Sequence, residues 1–293
     1  MHRKSRFVSV LLAFLLTTPL SAQPPKKHFL WSVRDAKGSV AHLLGSIHVL
    51  TPDFYPLSPA VEAVFDKSKV LVEEVDIDEM SNPTTLLPIL AKAMFTDGTT
   101  LEKAVSPATF AEVKKRADKA GLPMIALSRM KPWMAAVALT APILKAAGYD
   151  AELGVDKHFF DKAKKSNLER RALETVAYQL DRFDSLSPAM QETILKATLD
   201  DLDTQLTNVK EVANAWAAGN TTTMERLMLT AMLESPELYQ KFLVARNQNW
   251  MAPIEKCLLE NSGCFIVVGA AHLVGPHGLP TLLQKKGYVV TQQ

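Results

Sequence analysis

Only two cysteines occur in this 293-residue chain, and its charge nearly cancels, with 33 Lys and Arg against 31 Asp and Glu. Cys257 and Cys264 are spaced too widely for a Cys-x-x-Cys zinc site. The net charge of +2, with no basic stripe interleaved with aromatics, argues against a nucleic-acid partner. The basic run "KAKKS" at 162–166 reads as a solvated helix face. Beyond the N-terminus no apolar run approaches the roughly 20 residues that cross a bilayer, so no transmembrane anchor is expected in the mature chain. Gly-x-Ser-x-Gly, His-Glu-x-x-His and a phosphate-cradling glycine loop are missing too. Serine hydrolases, classical zinc proteases and nucleotide enzymes are therefore disfavoured.

What is there begins with an address. "MHRKSRF" is basic, Phe7 to Leu16 is apolar, and "TTPLSAQ" is built of small residues. This order predicts a secretory signal peptide over 1–22, cut after Ala22, and a single mature domain over 23–293. The expected location is the periplasm of a Gram-negative bacterium, or outside the cell. There Cys257 and Cys264 should form a disulfide, tying the end of a helix to the start of a strand. At 47% apolar residues, the chain can bury a large core.

Turn and cap signals then divide the chain. "FLWSVRDAKGSVAHLLGSIH" reads as a hairpin around "DAKG". Ser-Pro at 58–59, 106–107, 187–188 and 235–236 places a capping hydroxyl before a proline suited to the first helical turn. Helices are predicted over about 59–67, 107–120, 132–147, 152–165, 188–217 and 236–260. Strands are predicted at "KVLVEEVDI", Lys69 to Ile77, at "CFIVVGAA" and at "YVVTQ". The expected fold is α/β (α+β): a mixed central sheet formed by the N- and C-terminal segments, with a large helical insertion over about 80–262.

Two apolar runs end alike. "HLLGSIH" carries Gly45 and His48; "FIVVGAAH" carries Gly269 and His272. A random chain of this composition gives about 0.3 matches to Gly-x-x-His. In open α/β sheets ligands bind at the carboxyl ends of strands. Glycine there permits a tight turn or close approach, and a histidine just beyond is aimed over the rim. Two imidazoles with a carboxylate from "LVEEVDI", Glu74 or Glu73, make an open metal site that could acidify a water. A ruler argument adds Arg246. From there to the helix end is roughly 21 Å at 1.5 Å per residue, and from Cys264 to Gly269 is about 17 Å at 3.3 Å per residue. Arg246 would then stand level with His272 and clamp a carboxylate or oxyanion. Asp156 reads equally as a helix N-terminal charge. His42, His158 and His277 read as structural or loop residues, and Trp133 as core.

These segments resemble the TraB/PrgY/GumN family. The similar stretches are "LLGSIHVL…YPLSPAVEAVF…VLVEEVDI", "KPW", "LGVDKHFFDKA…ALETVAYQ" and "ARNQNW…FIVVGAAHLVGPHGLPTLLQKKGYVV", together spanning about 29–292. The family is related to the Tiki proteases and to the erythromycin-esterase/ChaN-like group. The resemblance implies an α/β core with a helical insert and a metal-dependent hydrolytic site. Its metal would be Mn or Co, with Zn or Fe as alternatives, held by His48, His272 and Glu74; Glu74 is preferred to Glu73 because the family has one glutamate before x-Asp. Arg246 and Asn247 match a recurrent Arg-Asn pair. Glu174 and Gln179, in "LETVAYQ", are further cleft candidates. The expected function is a metal-dependent hydrolase, peptidase-like, acting on a peptide or small molecule. The alternatives are a metal-free esterase-like hydrolase with a histidine general base, and a non-catalytic haem- or peptide-binding protein.

Overall fold

The computed structural model describes residues 27–202 and 204–293. The expected signal peptide lies outside the described residues. Six strands, β1 (Leu30–Arg34), β2 (Val40–Ser46), β3 (Val70–Glu73), β4 (Glu169–Ala172), β5 (Cys264–Gly269) and β6 (Val289–Gln292), form one sheet in the order β4-β3-β5-β2-β1-β6. The pairs β2–β5, β5–β3 and β3–β4 are parallel, while β1 is antiparallel to β2 and β6. The two ends of the chain meet in this sheet, as expected. β5, which carries the second glycine–histidine turn, lies between β2, which carries the first, and β3, which leads to Glu74.

Helices cover both faces. Phe65 from the helix Pro59–Phe65 and Phe159 from the helix Val155–Lys165 pack on Phe265 of β5, with ring centres 5.4 and 4.9 Å apart. The next residue back along β5, Cys264, points the other way. It forms the predicted disulfide with Cys257 of the helix Ala245–Leu259, Cα to Cα 6.0 Å. The helical middle has a core of its own, in which Leu101, Val113, Leu127, Leu139, Leu195 and Leu199 are buried.

Local chemistry sets the boundaries. Ser58, Ser106 and Ser187 accept from the backbone N–H of Ala60, Thr109 and Met190, caps worth about 1 kcal/mol each. Ser235 precedes a helix but makes no such bond. The predicted helix 188–217 is two, Pro188–Asp201 and Gln205–Ala217. The sequence has three aspartates within 200–203, residues of low helix propensity. The helix predicted from 152 starts at Val155, after a short 3-10 turn over Ala151–Leu153. The strand predicted as Lys69–Ile77 ends at Glu73, because Asp76 caps a new helix, Ile77–Ser81, through Asp78 N–H at 3.0 Å. β5 likewise stops at Gly269 and gives way to a 3-10 turn, Ala270–Leu273. β4, "ERRA", carries no apolar alternation and was not anticipated.

Candidate active site

The carboxyl ends of β3, β5 and β2 stand side by side, and register aligns them: Ser46 pairs with Gly269, and Glu73 with Val267. Glu74, His272 and His48 each follow one of these ends. A Cβ added to Gly269 would lie 3.2 Å from Glu74 Oε1, 3.6 Å from His48 Nε2 and 3.7 Å from the His272 ring. Three predicted residues therefore surround the space left by the side chain that Gly269 lacks.

Each is held by further groups. Glu74 accepts from Gly269 N–H at 2.6 Å, Gln179 Nε2 at 2.9 Å and Arg246 Nη2 at 2.6 Å. Burial opposes its charge, but the Arg246 guanidinium, the charge of His48 and the Gly269 N–H outweigh it and hold the carboxyl below the usual carboxylate range. His272 is buried against Trp250, ring centres 4.4 Å apart. Burial, aided by the charge of Arg246, lowers its pKa to about 3, so the ring is neutral. Asn247 Nδ2 donates to the carbonyls of His272 and His277, which leaves its Oδ1 as the acceptor for His272 Nδ1–H at 2.6 Å. That tautomer keeps the lone pair on Nε2, where it accepts from Arg246 Nη1 at 3.1 Å.

His48 differs. Its side chain is 64% exposed, and its Nδ1 meets Asp156 Oδ2 at 3.2 Å. Desolvation opposes protonation, but the charge and hydrogen bond of Asp156 outweigh it and raise the pKa to about 9. Asp156 lies in the first turn of the helix Val155–Lys165. Sequence left it open, equally a helix N-terminal charge, and the fold places it beside His48.

Arg246 bridges the centre. Besides Glu74 and His272 it binds Glu174 at 2.6 Å, and its guanidinium stacks on Trp250 with 4.7 Å to the ring centre. Trp250 Nε1 donates to Glu174 in turn. A π-turn over Gln240–Val244 precedes it, and Arg246 donates back to Phe242 O at 3.3 Å; such turns recur at functional sites. Arg246, Asn247, Glu174 and Gln179 thus all reach the centre. Glu73 does not. It faces a cavity of about 600 Å³ beside the centre, lined also by Ser46, His48, Asp156, Ile77 and Met80. Burial, then the charges of Asp156 and Asp76, push its pKa up to about 9. His158 binds Glu62, His277 lies in a turn, and Trp133 stacks on Phe183 in the interior.

These contacts bear on a metal in two ways. Among the described residues, no three His, Cys, Asp or Glu side chains are close enough together to hold an ion as they stand. The donor set fits one nonetheless. Both imidazoles have Nδ1 anchored by an acceptor, the usual outer support of a ligating histidine, and His48 Nε2 and the His272 ring both border Gly269. Loading would require Arg246 to release His272 Nε2, and His48 to give up its proton.

The TraB/PrgY/gumN family profile matches residues 29–292. The chain belongs to this family. YbaP of Shigella flexneri, an uncharacterized protein, is 24% identical over 261 residues, covering 88% of this chain and 94% of that one. YbaP of Escherichia coli K12, also uncharacterized, is 25% identical over 244 residues, covering 83% and 87%. An uncharacterized protein of Treponema pallidum is 20% identical over 274 residues, covering 89% and 81%. No solved structure matches the chain.

Proposed function

We propose that this family member is a hydrolase acting at a carbonyl, peptidase-like, in the periplasm, with a divalent metal of the Mn or Co type. The observation that carries this reading is the convergence of His48 Nε2, Glu74 Oε1 and the His272 ring on the empty space at Gly269. His48, His272 and Glu74 would hold the metal, which when bound would supply Lewis acidity to a water and a carbonyl. The chain's own groups do the rest. Asp156 and Asn247 fix the orientation of the two imidazoles. Gly269 N–H and Gln179 hold Glu74 as an ionised acceptor. Arg246 offers N–H donors to a substrate carboxylate or to negative charge that develops on the carbonyl oxygen. The location is supported by the disulfide; no described helix is long and apolar enough to cross a membrane.

A second reading keeps the residues without the metal, and the contact from Arg246 to His272 Nε2 favours it. There the guanidinium is the resident cation and His48, backed by Asp156, transfers protons. Metal analysis of residues 23–293, purified without chelator or His-tag, separates the two. About one equivalent of Mn, Co, Fe or Zn, lost in a folded His48→Ala/His272→Ala variant, is expected. No metal in either protein, even after loading with Mn or Co, would sink the metal reading and leave the acid–base one.

A further inference from the structure

Arg246 has no N–H to spare. Glu174 takes Nε and one N–H of Nη2, Glu74 takes the other, and Phe242 O and His272 Nε2 take those of Nη1. Opening the contact to His272 frees one donor, which then faces the reacting carbonyl. An anion elsewhere on the substrate needs a different cation. We propose that Arg182, with Tyr178, forms a subsite for a carboxylate carried by the substrate, an inference that rests on reading the centre as hydrolytic.

Two helices build the place. The helix Val176–Asp184 brings Gln179, whose amide touches Glu74 at 2.9 Å, and the helix Ala245–Leu259 brings Arg246, which touches Glu74 at 2.6 Å. A second contact joins the same two helices: Asn249 Nδ2 donates to Tyr178 OH at 3.0 Å. Asn249 is three residues from Arg246, and Arg182 is three from Gln179. Such pairs are neighbours on a helix surface, with Cβ atoms about 5–6 Å apart. Gln179 also lines the cavity beside the centre, so a substrate lying there has Arg182 about one helical turn away, roughly 5 Å along the axis.

Arg182 is held in place yet unpaired. Its guanidinium lies over the Tyr178 ring, with Cζ 4.2 Å from the ring centre. That contact orders the side chain before any ligand arrives and leaves its N–H edge free. Nε is buried against the ring without a partner, whereas Nη1 and Nη2 are not buried. Among the described residues no carboxylate pairs with Arg182, because the acids nearest it on its helix are engaged. Asp181 binds Lys92 at 2.8 Å, Asp184 binds Lys131, and Glu174 binds Arg246 and Trp250. Tyr178 adds a donor. Its oxygen accepts from Asn249, so its own O–H remains to be given. Two Nη groups on one planar edge match a carboxylate bidentately. The substrate class is then a short peptide or acyl compound whose free carboxylate lies close to the bond that is cut.

The test is ligand-observed NMR titration of mature chain at pH 7 with N-acetyl-dialanine, whose carboxylate is ionised, and with its C-terminal amide, its neutral counterpart. The carboxylate should bind about tenfold more tightly, the scale of a hydrogen bond to a charged group. Arg182→Gln, checked for an intact melting transition, should erase that preference and leave amide binding unchanged. Tyr178→Phe keeps a ring under the guanidinium and removes the O–H, and should weaken carboxylate binding about threefold. His272→Ala, which removes a group of the centre and none of the subsite, should keep the preference. Equal binding of the two peptides, a preference that survives Arg182→Gln, or no binding of either at millimolar concentration overturns the proposal. Inorganic phosphate binding more tightly than the peptide carboxylate would overturn the choice of anion. If Arg182→Gln does not fold, Tyr178→Phe decides alone. Loss of the hydrolase reading would appear separately, as absent metal and absent turnover with the carboxylate preference retained.

Discussion

Gly45 and Gly269 occupy the same place in two matching motifs, yet they are glycine for different reasons. Neither has the positive φ that only glycine tolerates well; both are needed for space. A Cβ on Gly45 would lie 2.4 Å from Phe29 Cδ1 and 3.1 Å from the Ala270 backbone, inside the packed core. Gly45→Ala should overpack it, costing about 1–3 kcal/mol and lowering the melting temperature by roughly 3–10 °C. A Cβ on Gly269 meets only the site. Gly269→Ala should melt within about 2 °C of the parent and lose at least tenfold in affinity for Mn or Co. A Gly269→Ala protein that binds metal normally would remove that space from the site. The histidines diverge as well. His272 is a neutral acceptor in the interior, whereas His48 is an exposed ring beside a carboxylate.

Strands and helices carry the second scale. β5 stops where Gly269 begins its turn, and the helix before it runs back so that Arg246 stands level with His272, as the residue rises require. This part of the site was legible because lengths along a helix and a strand are fixed by backbone geometry. The disulfide pins the joint between the two. Its cysteines are seven residues apart, and closing so short a loop is worth about 2 kcal/mol in the chain-entropy account. A Cys257→Ala/Cys264→Ala variant should therefore melt lower by roughly 5 °C while keeping its metal stoichiometry; an unchanged melting curve would show that the helix and β5 hold their register without it. β4 was not legible, since an edge strand of charged residues has no apolar period to read. Asp156 was left undecided for a related reason: an acid in a first helical turn explains itself locally, and its partner His48 is 108 residues away.

At the scale of the molecule, buried ionisable groups on neighbouring elements set opposing responses to pH. His272 has its pKa lowered from 6.5 to about 3, first by burial. Its contribution is complete above pH 6.5 and is lost as pH falls, because the unfolded chain takes up a proton that the folded ring refuses. Glu74, lowered from 4.5 to about 2, acts in the same direction below pH 4.5. Glu73, raised from 4.5 to about 9 by burial first, does the reverse. Its contribution is complete below pH 4.5 and is lost as pH rises toward 9. Urea unfolding at pH 5, 7 and 9 reads the His272 and Glu73 contributions. His272→Asn should lose less stability than the parent between pH 7 and 5. Glu73→Gln should gain on the parent between pH 7 and 9. Parallel curves for parent and variants would refute these assignments.

By itself the sequence determined the elements and their contents: the hairpin, the serine-capped helices, two strands ending in glycine–histidine turns, a paired cysteine spacing and an Arg-Asn pair at a definite height on its helix. Those are local matters, decided by cap chemistry, periodicity and rise per residue. Only the tertiary structure decided which elements are neighbours. It put β5 between β2 and β3, which is what lets His48, Glu74 and His272 share one point. It separated adjacent glutamates, giving Glu74 to Arg246 and Glu73 to the cavity. Strand order and the burial it imposes depend on packing between residues up to about 260 positions apart. No local pattern records them.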